Sequence, residues 1–164
     1  KLGLFEGIGG GLFAPEGDLT RAQFVAVLAR LSGADLSSYK TTTFTDIKSG
    51  AWYFKSVAWA EKNGVIAGTS PGVFSPDRAL DRQQLCTMLC RFSDAMRIEL
   101  PKGSVTGFRD AADIADWAAE SVGCCVAAGL VSGTGKNMFS PHLTASRAQG
   151  ARVMSLYCEK YKKK

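Results

Sequence analysis

One short motif returns three times and constrains everything else in this 164-residue chain: Thr20-Arg21-Ala22-Gln23, then Asp81-Arg82-Gln83-Gln84, then Ser146-Arg147-Ala148-Gln149. Each copy sets Thr, Asp or Ser at a helix N-cap position with Gln three residues on, the pattern of a capping box in which side chain and main chain satisfy each other's unpaired groups. Three helix starts are therefore predicted. Each also places Arg at the first helical position, where the positive end of the helix dipole disfavours a cation and favours an anion. A misfit repeated at Arg21, Arg82 and Arg147 points to an external anion that joins the guanidinium and the free N–H groups of the helix start.

The motif belongs to a longer period. Gly7, Phe13, Pro15 and Arg21 are matched by Gly68, Phe74, Pro76 and Arg82, and again by Gly133, Phe139, Pro141 and Arg147, with identical internal offsets. Gly3, Gly64 and Gly129 each stand four residues ahead of the first glycine of their copy, as left-handed helix C-caps would. The segments Phe44-Thr45-Asp46 to Asn63 and Phe108-Arg109-Asp110 to Ala128 each hold a tryptophan, Trp52 or Trp117, twelve residues before that C-cap glycine. From these tryptophans onward the apolar spacing predicts a short amphipathic helix. After each Arg the stripe is longer: Phe24, Val27, Leu28 and Leu31; Leu85, Met88, Leu89 and Phe92; Gly150, Val153, Met154 and Tyr157. Such i, i+3, i+4, i+7 stripes bury against a common core, at about 1.5 to 3 kcal/mol per large side chain. Gly150 interrupts the third stripe and implies a close neighbour.

The chain is thus expected to be mainly α, built from three helix-loop-helix repeats in a single domain over 1–164. The first repeat is partial (1–40), and the others cover 41–103 and 104–164. The first lacks its opening helix, because Lys1 and Leu2 align with Lys62 and Asn63. The stretches 32–43 and 93–107 read as solvated connections, and Phe13, Phe74 and Phe139 as plugs from the inter-helix turns into the core.

Several function classes lose ground on composition. The formal charge of +5 owes much to the terminal lysines, and aromatic and basic positions do not interleave as in a nucleic-acid surface. No apolar run reaches membrane-spanning length, and no signal peptide lies in this fragment. Five cysteines (Cys86, Cys90, Cys124, Cys125, Cys158) and one histidine, His142 in a turn, offer neither a metal set nor a catalytic triad. The cysteines are expected to be buried packing residues. Asp46 and Asp110 read as turn or cap residues rather than catalytic carboxylates. No cofactor, metal or catalytic residue is expected.

The order Phe-x-Asp, Trp, Gly-apolar-apolar-x-Gly, Phe-x-Pro and a Thr-Arg-Ala-Gln-like helix start resembles the S-layer homology domain, which occurs as three tandem copies on Gram-positive surface proteins. The likeness runs from residue 3 to residue 161. It implies a pseudo-threefold helical bundle, placed extracellularly in the cell wall or S-layer, whose inter-repeat grooves bind secondary cell-wall polysaccharide carrying pyruvylated amino-sugars. Carried over by motif, the ligand-binding residues would be Arg21, Arg82 and Arg147 with Thr20, Asp81 and Ser146, Gln23, Gln84 and Gln149, and Trp52 and Trp117. The tryptophans suit a sugar platform and the core equally. The alternative function is a protein-interaction or self-assembly module of a surface-layer protein, with self-association through the incomplete first repeat.

Overall fold

The computed structural model describes residues 3–7 and 9–162. The alignment of Lys1 and Leu2 with a helix end lies outside them. Among the described residues the chain forms five α-helices and no strand: α1 (Arg21–Ser32), α2 (Phe54–Lys62), α3 (Arg82–Ala95), α4 (Asp116–Ala127) and α5 (Arg147–Tyr161), with single 3₁₀ turns at Leu36–Ser38 and Ala111–Asp113. Two of the three helices that follow the repeated motif, α3 and α5, are the longest, at 14 and 15 residues. The predicted N-caps hold in all three: Thr20, Asp81 and Ser146 each accept a hydrogen bond from the N–H three residues on.

What joins the repeats is a ring of main-chain hydrogen bonds just ahead of these helices. The Leu19 N–H donates to Ala145 O (2.9 Å), the Ala145 N–H to Leu80 O (2.8 Å) and the Leu80 N–H to Leu19 O (2.8 Å). These three residues occupy equivalent positions in their repeats, so the ring closes on itself with pseudo-threefold symmetry, and all three are buried. Burying backbone groups here costs little because each donor and acceptor finds its counterpart.

The predicted stripes point inward. Phe24, Leu28, Leu89, Phe92, Met154 and Tyr157 are each 1% exposed or less, and Phe92 stands between Trp59 (centroids 6.3 Å) and Tyr157 (6.0 Å). The Tyr157 hydroxyl meets the Ser93 hydroxyl at 2.9 Å, which satisfies a polar atom at the centre of the core. Ser93 is fully buried inside α3, so the connection expected from residue 93 begins later, after Ala95. At Gly150 the expected close neighbour is Leu19, whose Cδ2 would stand 2.5 Å from an added Cβ. The short helices α2 and α4 lean against α1 and α3 respectively. α2 starts at Phe54 rather than at Trp52, which stays outside the helix. Phe74 and Phe139 plug the core with no exposure, and Phe13 does so in part.

Candidate functional site

Each motif arginine reaches across to the turn of another repeat. Arg21 donates from Nε to Phe74 O (2.8 Å) and from Nη2 to Ala67 O (2.9 Å). Arg82 does the same to Phe139 O (2.9 Å) and Ser132 O (2.5 Å), and Arg147 to Phe13 O (2.8 Å) and Glu6 O (2.6 Å). Every guanidinium also lies over the phenylalanine ring of that turn, at 4.5, 4.7 and 4.9 Å from the centroids. The arginine is therefore a clasp between repeats, held by carbonyl dipoles and a π face. Burial pushes the Arg21 group down to about 10, with the like charge of Arg78 adding to the effect, and burial lowers Arg82 and Arg147 in the same direction. All three stay cationic at neutral pH, and none forms an ion pair among the described residues. Among the described residues one ion pair exists, Arg30 to Glu6 at 2.8 Å.

The helix starts themselves do not offer free N–H groups, contrary to the sequence-based expectation. The Arg21 and Ala22 N–H groups donate to Arg78 O and Pro76 O, those of Arg82 and Gln83 to Leu143 O and Pro141 O, and those of Arg147 and Ala148 to Gly17 O and Pro15 O. Neighbouring turns occupy the dipole end that was expected to hold an anion. What stays open on each guanidinium is Nη1, which has no hydrogen bond within the described residues.

The turns are fixed in their own right. The carboxylate of Asp46 accepts from the Phe74 and Ser75 N–H groups (2.9 and 2.7 Å), and that of Asp110 from the Phe139 and Ser140 N–H groups (both 2.7 Å). Ser75 and Ser140 both sit at φ +58, a left-handed conformation that costs a non-glycine residue about 1 kcal/mol or more, and these bonds hold them in it. Asp46 and Asp110 thus cap turns, as expected.

Two grooves flank these clasps, each on an inter-repeat boundary. The first, about 300 Å³, is walled by Phe5, Glu6 and Gly7, by Gln23, Val27 and Arg30 of α1, by Trp52 and by Arg147. The second, about 290 Å³, is walled by Ala67, Gly68 and Thr69, by Gln84, Thr87, Met88 and Arg91 of α3, by Trp117, and by Arg21 with Arg78. They are equivalent by the repeat offset. Trp52 and Trp117 are 62% and 55% exposed, which settles them on the groove rims rather than in the core. The glycines matter for backbone approach, since a Cβ on Gly68 would stand 2.6 Å from both Ser70 O and Val73 O.

The grooves differ in charge. In the first, Glu6 neutralises Arg30. In the second, Ala67 takes the place of Glu6, and three guanidiniums line it without a carboxylate. The second also holds an orphan. Gln23 and Gln149 complete their capping boxes by accepting from Thr20 N and Ser146 N at 3.1 Å, but Gln84 does not return to Asp81, and its buried Oε1 has no partner among the described residues. The capping box expected in the second copy is half formed: Asp81 still caps the Gln84 N–H at 2.8 Å.

Of the eleven residues singled out from sequence, the structure gathers Arg147, Gln23 and Trp52 in one groove and Arg21, Gln84 and Trp117 in the other. Thr20, Asp81 and Ser146 are spent on helix capping, and Arg82 and Gln149 line neither groove. At the third equivalent position Leu156 replaces Arg30 and Arg91, and the remaining tryptophan, Trp59, is buried. The basic wall residues Arg30, Arg78 and Arg91 were missed. Arg30 and Arg91 share one position of the repeat, a recurrence legible in the sequence.

The comparisons with known proteins agree with this architecture. The family model described as the S-layer homology domain matches residues 1–25, 43–86 and 107–151. The chain is 28% identical over 159 residues to a cellulosome-anchoring protein of Acetivibrio thermocellus, covering 94% of this chain and 35% of that protein. It is 29% identical over 158 residues to an amylopullulanase of Thermoanaerobacterium thermosulfurigenes, covering 96% of this chain and 8% of that one. It is 28% identical over 155 residues to S-layer protein sap of Bacillus anthracis, covering 93% and 18%. It spans about a third or less of the length of these relatives. The threefold motif, the closed bundle and the three matched segments together establish that the chain belongs to the S-layer homology domain family.

Proposed function

We propose that the chain is a noncatalytic anchoring module, located extracellularly at the cell wall or S-layer, that binds anionic wall polysaccharide in its inter-repeat grooves, chiefly the second. The observation that carries this reading is the second groove itself: Arg21, Arg78 and Arg91 with no lining carboxylate, beside an exposed Trp117 and the unpartnered Gln84 Oε1. A sugar-borne carboxylate such as a pyruvyl ketal accepts charge-assisted bonds from Arg91 and Arg78 and from the open Nη1 of Arg21. The Trp117 face packs on the sugar ring, and Gln84 Oε1 accepts from a hydroxyl or acetamido N–H. The names of the relatives fit this reading: one is an anchoring protein, another an S-layer protein, and the match to the amylopullulanase covers only a small part of that enzyme.

The test is affinity for purified wall polysaccharide, native and depyruvylated. Replacing Arg21 would also break a clasp, so the informative variants are Arg91→Ala and Trp117→Ala. Each should weaken binding at least about tenfold, the size of one lost charge-assisted or stacking contact, with an unchanged melting curve. Trp52→Ala should weaken it less. Undiminished affinity in the Arg91→Ala, Trp117→Ala double variant, or equal affinity for the depyruvylated polymer, would overturn the reading. Sedimentation of the unliganded chain separates it from the self-association alternative.

A further inference from the structure

The five cysteines play no part in the grooves, yet two of them meet. Cys90 of α3 and Cys125 of α4 bring their sulfurs to 3.6 Å, and Cys90 also lies 3.5 Å from Ser121 O. The equivalent positions in the first helix pair, α1 and α2, hold Ala29 and Ala60, which are 2% and 0% exposed. Two alanines that suffice for packing in one helix pair are thus replaced together by two cysteines in the other. Thiols brought in only as small packing groups have no reason to arrive as a facing pair.

We propose that Cys90 and Cys125 form a reversible disulfide that fastens α3 to α4. The sulfurs need approach by about 1.5 Å to reach bonding distance. Cys90 is partly exposed, whereas Cys125 is fully buried, and this sets the order of events. The Cys90 thiolate attacks a low-molecular-weight disulfide such as glutathione disulfide, releasing one thiol and leaving a mixed disulfide. Cys125 then gives up its proton and attacks the Cys90 sulfur, releasing the second thiol. Two protein thiols are oxidised and one small disulfide is reduced to two thiols. The hydrogen bond from Cys125 lowers the Cys90 group, and contacts with Cys86 and Cys90 together with burial raise Cys125, in keeping with Cys90 as the attacking sulfur.

The bond would join the two walls of the second groove. Arg91 follows Cys90 on α3, and Trp117 lies two turns ahead of Cys125 on α4. Fastening the helices fixes the separation of the guanidinium from the indole before ligand arrives. This consequence for binding rests on the proposed function, whereas the disulfide itself does not.

The reduced chain is incubated with glutathione disulfide and analysed by intact mass, by peptide mapping and by thermal melting. The expected product has lost two hydrogens and retains no glutathione, has Cys90 joined to Cys125, and melts roughly 5 to 15 °C higher through closure of the 35-residue separation. The shift should reverse with dithiothreitol and be missing in the Cys90→Ala, Cys125→Ala double variant, which carries the two alanines of the first pair. Dominant bonding through Cys86, Cys124 or Cys158, stable glutathionylation of Cys90, or a melting point unchanged or lowered by the bond would overturn the proposal. Polysaccharide affinity is measured separately on both forms. A bond that forms with no effect on affinity rejects the coupling and leaves the disulfide standing, while loss of binding in both forms counts against the groove.

Discussion

Asp110 shows how much a single carboxylate can do in this molecule. Burial alone would raise its carboxyl, but the N–H groups of Phe139 and Ser140 outweigh that effect and hold it below the ordinary aspartate range. A carboxyl depressed in the folded state adds stability that is fully present above its unfolded value, near pH 4, and is lost as pH falls through the folded value. Asp110→Asn should therefore lower the unfolding free energy obtained from urea titration at pH 7 by about 2 to 3 kcal/mol for two charge-assisted bonds, and the gap from the parent chain should shrink below pH 4. A constant gap from pH 7 to pH 2.5 would contradict this account. The arginines teach the complementary lesson. From sequence, Arg21 looked unpartnered at a repelling dipole, because its partners Ala67 O and Phe74 O lie 46 and 53 residues away and are main-chain atoms that no side-chain motif announces. Its place at a groove was legible, while its role as a clasp was not. Gln84 was legible as a cap, yet its departure from the capping box depends on local packing that composition does not encode.

At the level of helices, periodicity served well. The stripes of α1, α3 and α5, the capping residues and the left-handed glycines at 3, 64 and 129 all stand where spacing placed them. What periodicity could not show was the contact between α4 and the connection before it. Gly123 lies within α4, where glycine costs about 1 kcal/mol relative to alanine. A Cβ there would stand 2.5 Å from Gly103 O and 2.8 Å from Gly103 C, while one on Gly103 would stand 2.1 Å from Gly123 O. Backbone presses on backbone, and neither side has a flexible tip that can yield. Gly123→Ala should thus destabilise the chain by about 1 to 3 kcal/mol in spite of its better helix propensity, measured by urea unfolding. A stabilised variant would show that the connection does not approach α4 so closely. The tryptophans fell between two readings in the sequence because an indole at a helix start suits core and rim alike, and only the course of the neighbouring repeat decides between them.

For the molecule as a whole, the hydrogen-bond ring through Leu19, Leu80 and Ala145 makes each repeat a neighbour of both others. Stacked repeat proteins in which units touch only those before and after can lose their ends first. Here the expected behaviour is a single cooperative transition, with helix content by circular dichroism, the Trp59 environment by fluorescence and the Tyr157 environment by near-ultraviolet dichroism changing at one urea concentration. Separated midpoints would mean that one repeat melts alone. Closure also fixes the number of copies. An open stack lengthens by adding another unit at an end, but this circuit has no end, and a fourth unit enters only by breaking one of its bonds. Enlargement must then happen by joining further chain outside the circuit, an arrangement in keeping with relatives in which the matched stretch makes up only 8% to 35% of the whole.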